Sequence, residues 1–160
     1  MYDFNDGEGN VPAHQHTNGG GWVSDTAHVD DTCYIGPDSL VYENARIHDL
    51  VRVEGTTRVF GNAKIYDRVS ILDNAMVYGN AEIYDDVIIE NFTEVFGDTK
   101  LYDKVKLSNN SLVYGEVRMY NNSIARKSAE IFEDVKLYND DVIEEKIVVV
   151  DNVVIDDKII

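Results

Sequence analysis

The sequence predicts an all-β solenoid, one chain wound through nearly eight triangular coils of eighteen residues behind a short N-terminal segment. Two observations carry this. An apolar residue recurs every six positions from Val23 to Ile155, twenty-three times without an insertion. The hexads also group in threes: "RVFGNAKIYDRVSILDNA" from Arg58 to Ala75 is followed by "MVYGNAEIYDDVIIENFT" and then "EVFGDTKLYDKVKLSNNS", with related letters in the same slots.

The first series begins Val23, Val29, Ile35, Val41, Ile47 and Val53. Four residues behind each member lies a second, mostly small series: Ala27, Cys33, Ser39, Ala45, Val51 and Thr57. Two inward residues in six match neither the 3.6-residue period of a helix nor the two-residue period of a plain strand. They match a chain that makes a short strand, turns a corner and repeats, with three sides closing one coil. A sandwich of alternating strands would need irregularly spaced turns instead. Aliphatics of the first series then stack on their copies about 4.8 Å away in the next coil. Small residues fit where the triangle narrows, and the Gly, Asp and Asn that follow suit the left-handed backbone of a corner.

Two segments depart from the pattern. Residues 1–21 lie outside the register and hold five of the eleven glycines; they are expected to cover the open edge of the first coil, leaving 22–160 as the solenoid. Toward the other end, in "KIVVVDNVVI", the outward slots turn apolar as well. Left in water such a run invites edge-to-edge pairing, so another copy of the chain is expected to cover it. Val148, Val154 and Ile160, with the outward stripe Leu40, Met76 and Leu112, are the expected oligomer interface.

Composition narrows the function classes. Thirty acidic against fourteen basic residues give a net charge of −16, a field that repels phosphate backbones and argues against nucleic-acid binding. The single cysteine, Cys33, permits no intrachain disulfide and suits a reducing compartment. No secretory signal and no apolar stretch of membrane-spanning length is evident, so a cytoplasmic protein without a membrane partner is expected. No cofactor is expected.

Sorted by side of the triangle, the residue after each aliphatic is informative. The first side carries Tyr42, Phe60, Tyr78, Phe96, Tyr114 and Phe132, and the second carries His48, Tyr66, Tyr84, Tyr102, Tyr120 and Tyr138. The third has no pattern. Same-slot rings are expected to stack and stiffen the solenoid; the functional alternative is that some line an intersubunit cleft. One slot beyond the second ladder stand Asp49, Asp67, Asp85 and Asp103, read as corner formers first and as a cation column second. Outward cations Lys64, Lys100 and Arg118, with Arg46 and Lys136, are expected beside the first ladder and suit a phosphate-bearing ligand there.

The unbroken hexads resemble the hexapeptide-repeat family over roughly Trp22 to Ile160, and that resemblance implies a single-stranded left-handed parallel β-helix. The handedness is implied by the family alone. The family resemblance, together with the outward stripe Leu40, Met76, Leu112 and Val148, implies a homotrimer. "HTNGGGWVSDTAHV" with "VYGNA"-type hexads is similar to members found in phages and their bacterial hosts, which, the motifs being structural, implies no catalytic residue. Acyltransferases of the family place a basic histidine on or beside a loop that interrupts the coils, whereas this register never breaks; His48 is the candidate base if such a reaction occurs. Carbonic anhydrases of this fold hold zinc with three histidines, an arrangement that His28 and His48 do not match. The "HQH" pair, His14 and His16, is a weak metal alternative.

The expected function is a non-catalytic binding or scaffold protein, of phage origin if the resemblance extends that far, that holds a small phosphate-bearing molecule or a host protein as an inhibitor or sponge at intersubunit clefts. Its candidate ligand-binding residues are Tyr66, Tyr84, Tyr102, Tyr120, Phe60, Tyr78, Phe96, Lys64, Lys100 and Arg118.

Overall fold

A computed structural model describes residues 1–144 and the backbone of the strand Val153–Ile155. It is an all-β parallel solenoid of about seven turns. Each strand of the coil pairs in parallel with its counterparts one coil before and after. On the first face Arg58 lies between Leu40 and Met76; on the second Lys64 lies between Arg46 and Glu82; on the third Ser70 lies between Arg52 and Ile88. The shift is always eighteen residues, so every slot of the repeat becomes a column running along the axis. Val153–Ile155 pairs with Val135–Leu137 and starts an eighth turn on the second face.

Both inward series form one continuous core. Ile47, Ile65, Ile83 and Leu101 are fully buried on one side of the triangle, and Cys33, Ala45, Val51 and Ala63 are equally buried near its corners. Hydroxyl residues are tolerated in the second series because the carbonyl three residues back is within reach. Thr57, Thr93 and Thr99 donate to the carbonyls of Glu54, Glu90 and Phe96, each at 2.8 Å. Buried polar groups are otherwise costly, and this bond removes most of that penalty. Asp141 uses the same corner differently: fully buried, it accepts the Tyr138 N–H at 3.0 Å.

The three corners solve one backbone problem in two ways. At each, a residue sits in the left-handed region, for instance Asp67 and Asp85 at φ 63° and 62°. At the second corner the amide of this residue points back toward the preceding coil, where the side chain of its own counterpart accepts it. Asp49 Oδ2 takes the Asp67 N–H, Asp67 takes that of Asp85, Asp85 that of Asp103 and Asp103 that of Asn121, at 2.9–3.2 Å. The third corner repeats the device from Asp73 through Asn91 and Asn109 to the amide of Lys127. Asp and Asn therefore serve twice, tolerating positive φ and supplying the acceptor. The first corner uses Gly61, Gly79, Gly97 and Gly115, where coils approach so closely that a Cβ on Gly79 would lie 2.8 Å from the Gly97 nitrogen.

The N-terminal segment closes the first coil. Ala13–Gln15 pairs antiparallel with Trp22–Ser24 and occupies the edge of the first-face sheet, while Tyr2–Asp3 and Asn10–Val11 form a small two-stranded sheet of their own. His16 anchors the turn between the strands: its Nε2 lies 3.2 Å from the Asp30 carbonyl and its Nδ1 lies 3.3 Å from the Asn18 amide.

Candidate functional site

Ring stacking dominates two faces. On the second face Tyr66, Tyr84, Tyr102 and Tyr120 follow at centroid spacings of 5.1 Å with planes within 4° of parallel, and Tyr138 continues at 5.4 Å. On the first face the spacing from Tyr42 to Phe132 is 4.7–5.1 Å. Each interior ring has a neighbour against both faces. A flat ligand therefore meets ring edges and hydroxyl groups, and not open π-surfaces, along the middle of either ladder.

The first ladder has a finer order. Tyr and Phe alternate, and each Tyr hydroxyl reaches the outward slot of the next coil, sixteen residues on. Tyr78 donates to Glu94 and Tyr114 to Glu130, both at 3.3 Å, while Arg58 stands beside Tyr42. The same offset from Phe60 and Phe96 leads to Met76 and Leu112. Polar slots thus match phenols and apolar slots match phenyls. Leu40, expected at a subunit interface, is only 9% exposed because Phe4 and Tyr42 bury it within the chain. The expected interface residues Val148 and Ile160 lie outside the described residues, as does the side chain of Val154.

The second face, and not the side of the first ladder, carries the basic column. Arg46 and Lys64 are exposed in adjacent coils, as are Lys100 and Arg118 two coils further on, with Lys136 half-buried above them. Glu82 interrupts the column. It accepts from Lys100 Nζ at 2.6 Å and from the Tyr66 hydroxyl at 3.1 Å, and the ammonium holds its carboxyl below the usual range. Lys100 is thereby engaged within the chain, while Lys64 and Arg118 extend outward. Burial, followed by the Glu82 carboxylate, pushes the Tyr66 phenol well up; burial and Glu94 push that of Tyr78 up to about 12.

At the N-terminal end of this face three side chains converge. His28 precedes Val29, Asp30 follows it, and His48 stands one coil above Asp30. His28 Nε2 lies 3.3 Å from Asp30 Oδ1, and His48 Nδ1 lies 3.3 Å from both Asp30 oxygens. The imidazole centroids are 5.1 Å apart. Asp30 Oδ2 also accepts the Asp49 N–H at 3.1 Å, placing Asp30 at the head of the second-corner carboxylate column. That N–H, more than either imidazole, holds its carboxyl below the ordinary value.

The other candidates are placed as follows. His14 pairs with Asp25 at 2.9 Å, and His16 is 5% exposed with both ring nitrogens against backbone groups, so the "HQH" histidines do not converge. Cys33 is fully buried, and burial raises its thiol to about 11. The corner aspartates each devote an oxygen to an amide. On the third face Arg52 pairs with Glu54 and Lys106 with Glu90, and Phe92 is exposed.

Two relationships were missed in the sequence. One is the meeting of His28, Asp30 and His48, detectable because Asp30 and His48 are eighteen residues apart and flank the same strand column. The other is Phe4 supplying a ring for the first ladder. Its signal is Ser24, a small residue in a slot otherwise held by aromatics, in a chain whose N-terminal segment offers the rings of "YDF" at residues 2–4.

Comparison with family models, with curated proteins and with solved structures finds no match. Among the described residues no helix is long and apolar enough to cross a membrane.

Proposed function

We propose that the protein is a non-catalytic binding scaffold whose second face holds a small phosphate-bearing ligand. The supporting observation is the basic column itself: exposed Arg46, Lys64 and Arg118, with Lys100, aligned along one face of a chain whose net charge is −16. Neighbouring cations one coil apart repel by about 1 kcal/mol even at the dielectric of water, so the arrangement is favoured by a polyvalent anion lying along it. Tyrosine hydroxyls beside the column supply donors for phosphate oxygens, and the stacked rings keep the donors in line without a large ordering cost on binding. Discrete phosphates suit this face better than a nucleic acid, whose long backbone would also meet the acidic corners.

In this reading the chain works in the cytoplasm as a sponge or inhibitor. The likeness of its hexads to phage members of the hexapeptide-repeat family supports that role, and a homotrimer accords with the same likeness. The competing reading is acyl transfer with His48 as base, favoured by the carboxylate of Asp30 beside its imidazole.

A thermal-shift panel of pyrophosphate, tripolyphosphate, nucleoside polyphosphates and acetyl-coenzyme A separates them. The binding reading expects the melting temperature to rise with polyphosphates, less so at high salt, and not in Lys64→Ala/Arg118→Ala. A stabilisation that survives this double substitution, or none with any phosphate, overturns it. Acetyl transfer abolished by His48→Ala installs the competitor.

A further inference from the structure

We propose that His28, Asp30 and His48 bind a divalent transition-metal ion of the zinc type. The site stands apart from the phosphate reading and rests on its own geometry. One nitrogen from each imidazole and a carboxylate oxygen lie within 4.8 Å of one another. Two of the three separations, His28 to Asp30 and His48 to Asp30, are already 3.3 Å. Ligands at about 2.0–2.1 Å from zinc in tetrahedral geometry stand roughly 3.3 Å apart, so the two edges to Asp30 already match, and the third lies within 4.8 Å.

The scaffold prepares this arrangement. Consecutive coils fix Asp30 beneath His48, and the strand that carries Val29 places His28 and Asp30 on the same outward side. The Asp49 N–H holds Asp30 Oδ2 from behind, an outer contact of the kind that orients a ligating carboxylate. Two imidazoles and one carboxylate favour zinc, copper or nickel over magnesium or calcium, which take oxygen donors. Three protein donors on an open surface leave a further position for water or an anion. Arg46, paired with His28 in the next coil and exposed, stands where it can meet such an anion.

The test titrates metal alone into the intact chain, with zinc, cobalt and magnesium compared by calorimetry and by the visible spectrum of cobalt. One zinc per chain is expected, with cobalt bands of low-coordinate character and no competition from magnesium. His28→Ala, His48→Ala and Asp30→Asn should each weaken zinc by more than about tenfold, while His14→Ala leaves it unchanged. All four are exposed or half-exposed positions, and circular dichroism verifies that the coils persist. Absence of zinc binding overturns the proposal. So does zinc binding that survives in His28→Ala/His48→Ala, or that magnesium displaces, since either assigns the ion to the corner carboxylates.

Discussion

Phe4 stacks on Tyr42 with ring centroids 4.9 Å apart and planes 22° from parallel, in the ladder position where Ser24 supplies no ring. The N-terminal segment thereby adds a borrowed member to the first column, and the sequence of rings becomes Phe4, Tyr42, Phe60, Tyr78, Phe96, Tyr114 and Phe132. Alternation of phenyl and phenol is kept, and Leu40 fills the apolar slot that belongs to a phenyl.

Phe4→Ala should therefore do more than loosen a tail. A fully buried phenylalanine truncated to alanine costs about 3–5 kcal/mol, and the upper part of that range is not expected at the end of a solenoid, where the segment can detach. Equilibrium denaturation should show a loss near the lower end of that range, about 3 kcal/mol. Limited proteolysis should then cut within residues 1–12 while the coils survive. Equal protease resistance of the variant and the parent would refute the anchoring role.

The second ladder gives a graded expectation. Tyr84 stacks on both Tyr66 and Tyr102. Each stacked pair contributes about 0.5–1.5 kcal/mol beyond area, so Tyr84→Ala should destabilise by roughly 1–3 kcal/mol and Tyr84→Leu by less. If the ligand of the basic column meets hydroxyl edges, Tyr84→Phe should weaken polyphosphate binding while the melting temperature hardly moves. Calorimetry and thermal denaturation measured side by side separate the two roles.

Alkaline titration tests the ladders collectively. Burial leads the causes that raise the phenols of Tyr66, Tyr78, Tyr84 and Tyr102 above their ordinary value, to about 12 for Tyr78. The folded chain then holds protons that the unfolded chain releases near pH 10, so this stabilisation is complete below about pH 10. It should decline as pH rises from about 10 toward 12. Tyrosinate absorbance should lag behind that of the urea-unfolded chain. Coincident titration curves would contradict the burial of the phenols.

Corner substitutions should discriminate the two turn chemistries. Asp67→Asn keeps both the tolerated backbone and an acceptor for the Asp85 amide, and should be nearly neutral. Asp67→Ala loses both, at about 1–3 kcal/mol from the left-handed conformation and the unpaired amide together. Gly79→Ala should be more severe than either, because its Cβ would press on the Gly97 backbone. A Gly79→Ala chain as stable as the parent would show that the coils can spread at that corner.

The coil was legible because the same physical demand recurs at every turn: an aliphatic at Val59, Val77 and Val95 has no alternative reading once the spacing is six. Most corner identities were legible too, since glycine, aspartate and asparagine accept positive φ, but Glu43, Lys127 and Glu133 adopt it as well and carry no such signal. What escaped were relationships between slots on different coils. The phenol-to-glutamate contact from Tyr78 to Glu94 spans sixteen residues, a diagonal invisible while each column is considered alone. The His28–Asp30–His48 cluster combines a pair one coil apart in a single column, Asp30 and His48, with a neighbour two residues back on the same strand. Phe4 escaped for a different reason, because a segment outside the register has no period from which its partner can be deduced.

The phenyl–phenol alternation of the first column sets how such a chain can change length. Removing one coil preserves every backbone hydrogen bond, yet it places a phenol over an apolar slot, or a phenyl over a glutamate, at the splice. Removing two coils restores both patterns. Growth and shrinkage of this rod are therefore quantised in pairs of turns, and its length is inherited in steps rather than adjusted residue by residue.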